Sequence, residues 1–157
     1  MLQLAGKGPI DKCRQMAETA LYDGSGYAKL KEMVEAQGGD VRVLEDAERF
    51  PKAKAVLEWK AESSGYLQKI DTQACGTAAV LLGAGREKKG DKIDASAGIV
   101  LCKKPGERVE TGETLAVLYA AAPEKCAAAI RVLTDAYLFG DVPPEKKPLI
   151  YSRLNLR

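Results

Sequence analysis

The sequence predicts an α+β protein: a helical lead-in over residues 1–50, then a small mixed β structure over 51–157 with helices packed on it. Three observations carry that prediction. Apolar residues recur at helical 3, 4 spacing as far as Val34. From Ala53 onward the pattern changes to alternation, with Ala55, Leu57 and Trp59 set between Lys54, Glu58 and Lys60. Two short apolar runs, at 98–102 and 115–119, then flank the turn-rich string KKPGERVETGE.

In chain order, Met1, Leu2, Leu4 and Ala5 run to Gly6 with no capping residue before them, which reads as the tail of a helix. A second helix follows Pro9, because Ile10, Cys13, Met16 with Ala17, and Ala20 with Leu21 form one stripe that ends at Gly24. Ser25 is the expected N-cap of a third, with Tyr27, Leu30, Met33 and Val34 on its apolar face and Gly38-Gly39 as its left-handed stop. Residues 40–51 have weak periodicity and read as a connector with at most a short helical turn.

Two strands are expected at 53–60 and 66–70, joined by the turn Ser63-Ser64-Gly65. Asp71 or Thr72 can cap a short helix through Ala74, Ala78, Ala79, Leu81 and Leu82, apolar enough to require burial. GAGREKKGDKID, from Gly83 to Asp94, is rich in glycine and charge and reads as a surface loop. Strands at 98–102 and 115–119 enclose a Pro-Gly turn, a short strand and a Thr-Gly turn. Pro123 opens a helix with Cys126, Ala129, Ile130, Leu133 and Tyr137 on one face. Gly140, Pro143, Pro144 and Pro148 break it, and Leu149-Ile150-Tyr151 is expected to close as the last strand.

Composition narrows the function. With 46% hydrophobic and 29% charged residues the chain can bury a core, and its net charge of +2 is too small and too dispersed to gather nucleic acid or an anionic membrane. No stretch reaches the roughly 18 continuous apolar residues of a membrane span, and no secretory leader follows Met1, so the expected location is the cytoplasm. Cys13, Cys75, Cys102 and Cys126 are widely spaced without a CxxC pair, and are expected to be buried free thiols. The absence of histidine removes the commonest general base and every imidazole metal site, leaving Asp, Glu, Lys, Arg and backbone groups for any chemistry.

Specific strings then carry a resemblance. AQGGD at 36–40, SGYLQKID at 64–71, LLGAGREKKGDKID at 81–94 and GIVLCKKPGERVETGETLAVLYA at 98–120, in that order and spacing, resemble the C-terminal region of pyrimidine-nucleoside phosphorylases. Thymidine phosphorylases are similar over the same strings, and MLQLAGK and KPLIYSRL match the region's opening helix end and final strand. The resemblance implies reversible phosphorolysis of uridine, thymidine or deoxyuridine to free base and a sugar 1-phosphate, with phosphate as co-substrate. It further implies that residues 1–50 are the remainder of a large α/β domain and 51–157 the family's C-terminal domain. In that family the phosphate lies against a glycine-rich segment with Lys and Ser, and the base against an Arg, Ser and Lys set. Neither occurs in this sequence, so the chain is expected to be scaffold and cleft wall, with no catalytic, substrate-binding or metal-holding residue and no cofactor of its own. Its expected partner is the remainder of its own polypeptide, in a homodimeric parent enzyme.

Within the chain the most functional pattern is the loop Gly83, Gly85, Arg86, Lys88 and Lys89. Two glycines after a helix also simply end it. The resemblance implies a loop beside the substrate cleft that takes part in closure, where Arg86 can neutralise charge near bound phosphate. Asp71, Asp91 and Asp94 read as caps and loop-edge carboxylates, and Trp59 and Tyr66 as core aromatics. KKPGERVETGETLAVL also resembles the turn and strand pattern of biotinyl and lipoyl carrier domains, but the Met-Lys-Met or Asp-Lys-Ala hairpin that carries the modified lysine is absent. The likeness is therefore one of shape, a hammerhead-like, barrel-sandwich-like fold, with a free-standing carrier or binding module as the competing reading.

Overall fold

A computed structural model describes residues 1–146, 148–152 and 154. It divides into two compact units, Met1–Phe50 and Pro51–Arg157.

The first unit is helical. Residues 1–5 make one turn, closed at Gly6 (φ +69°) by Gly6 N–H to the Gln3 carbonyl and Lys7 N–H to the Leu2 carbonyl. Helix α1 (Ile10–Tyr22) begins after Pro9, and α2 (Ser25–Ala36) begins at Ser25 itself. Ser25 is therefore the first helical residue and not the cap: Gly24 (φ +83°) holds the cap position, and the Asp23 carboxylate accepts the Ser25 N–H at 2.8 Å. Gly38 (φ +76°) ends α2, with Gly39 N–H donating to the Val34 carbonyl. A short helix α3 (Arg42–Glu45) and a 3-10 turn (Ala47–Arg49) follow; Asp40 grips Arg42 through its carboxylate, and Tyr27 Oη donates to the Leu44 carbonyl.

Among the described residues the second unit holds two three-stranded sheets, each paired antiparallel, with helices packed on them, which is the expected α+β arrangement. One sheet has the order β1 (Ala55–Lys60), β5 (Thr114–Ala120), β3 (Gly98–Leu101); the other has β4 (Arg108–Val109), β2 (Gly65–Ile70), β6 (Tyr137–Gly140). The Ser63-Ser64-Gly65 turn does join two strands, but it carries the chain from one sheet into the other. Ala61 N–H to Glu113 O and Gly112 N–H to Ala61 O, both 2.8 Å, fix that crossing, and Ser64 Oγ accepts the Thr111 N–H.

Helices α4 (Thr72–Leu82) and α5 (Pro123–Ala136) pack on each other, and both sheets share one core with them. Asp71 caps α4 by accepting the Ala74 N–H at 3.0 Å, and Pro123 stands in the first turn of α5, where its missing N–H costs nothing. Leu67, Leu82, Leu115, Leu118, Leu133, Val109 and Cys126 are fully buried. Trp59 points inward as expected and meets Tyr137 edge-to-face, ring centroids 4.8 Å apart. Two placements differ from the sequence reading. Tyr137 leaves α5 and starts β6, pairing with Ile70; the last strand among the described residues is therefore 137–140. Of the expected strand KPLIYSRL, Lys147 and Arg153 lie outside the described residues and the others carry no strand. Leu149 and Tyr151 are 97% and 76% exposed. Cysteine burial also splits: Cys13 and Cys126 are buried, Cys75 is half-buried and Cys102 is exposed, because it falls just past the end of β3. All four are free.

Candidate functional site

The loop singled out in the sequence leaves α4 at Gly83. That residue is buried at φ +113°, where its N–H donates to the Val80 carbonyl and the Ala84 N–H to the Ala79 carbonyl. A Cβ at Gly83 would sit 3.4 Å from Lys125 Nζ and 3.5 Å from the Asp94 Cβ. At Gly85 a Cβ would approach Val80 Cγ2 to 2.6 Å, so the chain lies against its own helix there. The Asp94 N–H returns to the Gly83 carbonyl at 2.9 Å, tying the two ends of the excursion together. This is the build of a compact surface loop with anchored ends.

The loop's interior is organised by carboxylates. Asp91 accepts the Lys88 N–H at 2.8 Å and returns its own N–H to the Lys88 carbonyl, making the turn in which Gly90 takes φ +99°. Asp94 Oδ1 accepts both the Ser96 hydroxyl, at 2.6 Å, and the Ser96 N–H. Those bonds, with the positive charges of Lys125 and Lys54, hold the Asp94 carboxyl below its usual range. The expected roles of Asp71, Asp91 and Asp94 as caps and turn-makers are thus what the structure contains.

Of the expected loop residues, Gly83 and Gly85 line a surface cleft of about 390 Å³, together with Glu87, Asp91, Lys92 and Lys125. Arg86, Lys88 and Lys89 are exposed outside that lining, and no hydrogen bond or ion pair holds their side chains among the described residues. Lys125 was missed by the sequence reading. It lies in the first turn of α5, 42 positions after Gly83, and only the packing of α4 on α5 brings its ammonium to Gly83. The arrangement is a glycine-shaped cleft with both signs of charge on its rim and cationic side chains free to reach outward. Such a loop can contact an anion or an opposing surface, and its one hydroxyl–carboxylate contact described above, Ser96 on Asp94, belongs to a turn that the Ser96 N–H closes on the same oxygen.

Comparison with known proteins decides what this architecture belongs to. Residues 66–140, which run from β2 through the loop to the end of β6, match the family model described as the pyrimidine nucleoside phosphorylase C-terminal domain. This part of the chain belongs to that family. The C-terminal domain is accompanied by similarity to whole proteins called pyrimidine-nucleoside phosphorylase. That of Geobacillus stearothermophilus is 42% identical over 120 residues, 76% of this chain and 28% of the relative. That of Staphylococcus haemolyticus is 41% identical, and that of Staphylococcus aureus 39%, over the same shares. The chain thus spans about 28% of the length of the curated relatives it matches. The family favours the phosphorylase reading over the carrier-module alternative.

Proposed function

We propose that this chain is the scaffold and cleft-wall part of an enzyme that carries out reversible phosphorolysis of pyrimidine nucleosides to free base and (deoxy)ribose 1-phosphate. The observation that carries the reading is identity near 40% over 120 residues to proteins named for that activity, over about 28% of their length. On this reading inorganic phosphate is a co-substrate of the whole enzyme. The reaction needs an anion held in line with the anomeric carbon and a polarised departing base. Those tasks fall to groups outside these residues. The loop's two aspartates are already committed: Asp91 closes a turn and Asp94 binds Ser96.

Residues 1–50 fit this reading as part of a larger α/β domain. Among them Cys13 is the one residue that is buried, while Ile10, Tyr27 and Met33 stay 45–50% exposed, so the unit has no core of its own. Its partner is then the rest of the enzyme's polypeptide, in a homodimer that works in the cytoplasm in nucleoside salvage as a glycosyltransferase. No described helix is long and apolar enough to cross a membrane. The loop 83–94 lies beside the substrate cleft and takes part in its closure, with Arg86, Lys88 and Lys89 reaching across from ends anchored at Gly83 and Asp94.

The test has two arms. The purified 157-residue chain, titrated with uridine and phosphate in a calorimeter and assayed for uracil release, is expected to give neither heat nor product; turnover would overturn the assignment of catalysis to other residues. In a phosphorylase that contains this domain, Arg86→Ala is expected to lower kcat/KM, and unchanged kcat and KM would remove the loop from the cleft.

A further inference from the structure

We draw no further inference here: the strongest candidate, the apolar face of the β1–β5–β3 sheet on which Val56 and Val100 are exposed and Val117 and Tyr119 half-buried, carries nothing because nothing in the structure shows what covers it.

Discussion

Burying a phenol without giving its hydroxyl a partner costs about 1–3 kcal/mol, and Tyr137 is in that position. The residue is 4% exposed, its ring packs edge-to-face with Trp59, and its Oη has no hydrogen bond among the described residues. Removing the oxygen alone should therefore help: Tyr137→Phe is expected to raise stability by about 1 kcal/mol, read as a higher denaturation midpoint. Burial first, and the nearby Cys75 and Cys102 thiols after it, push this phenol up to about 12 from its ordinary 10. The unfolded chain thus releases the proton at a pH where the folded one still holds it. The contribution is complete below pH 10 and is lost as pH rises towards 12, by about 1.4 kcal/mol per pH unit. Urea titrations at pH 9 and pH 11 should show the advantage of Tyr137→Phe widening with pH; a constant difference would mean that the hydroxyl is hydrated. Gly83 presents the opposite case. Its φ of +113° and the Lys125 and Asp94 atoms that a Cβ would meet make Gly83→Ala destabilising by about 1–2 kcal/mol. Gly98→Ala, with nothing within 4 Å and no left-handed backbone, is the control that should leave the thermal midpoint almost unmoved.

At the scale of elements, the pair α4–α5 holds the second unit together. Helix α4 buries Ala78 and Leu82, and α5 buries Ala129, Leu133 and Ala136, all within the shared core. Leu133 is fully buried, and Leu133→Ala is expected to cost about 2–5 kcal/mol, measured by chemical denaturation. A loss under 1 kcal/mol would show that the helix pair repacks freely. The helices of this pair were legible in the sequence because their ends are written locally: Asp71 before α4, Gly83 after it and Pro123 opening α5. Strand β6 was not. Tyr137, Leu138 and Phe139 continue the apolar character of α5, and the helix-to-strand change is set by pairing with β2, a partner more than 60 positions earlier. A run of apolar residues states a wish for burial and not the edge that will supply it, which is why Leu149-Ile150-Tyr151 looked like the missing strand. The loop 83–94 divides in the same way. Its glycines and turn carboxylates could be read in order along the chain, while Lys125 enters through tertiary packing alone.

At the scale of the whole molecule, the two units differ in what can hold them folded. Residues 55–140 share one core that contains Leu67, Leu115, Leu118 and Leu133 at 0–2% exposure. Residues 1–50 bury Cys13 and keep their helices by caps, by the Tyr27–Leu44 hydrogen bond and by exposed ion pairs such as Lys31–Glu45. Exposed ion pairs contribute little, and isolated helices of this length are marginal in water. Opening α1 and α2 should therefore take far less free energy than opening β5 and α5. In amide exchange on the purified chain, protection in β5 and α5 is expected to exceed that in α1 and α2 by at least about 100-fold, a difference of roughly 3 kcal/mol in opening free energy. The lead-in would then order fully only against a surface that covers Ile10, Tyr27, Leu30 and Met33, which is the physical content of assigning it to a larger domain. Equal protection in both units would contradict this, because it would require a single cooperative structure across residues whose apolar side chains are open to water.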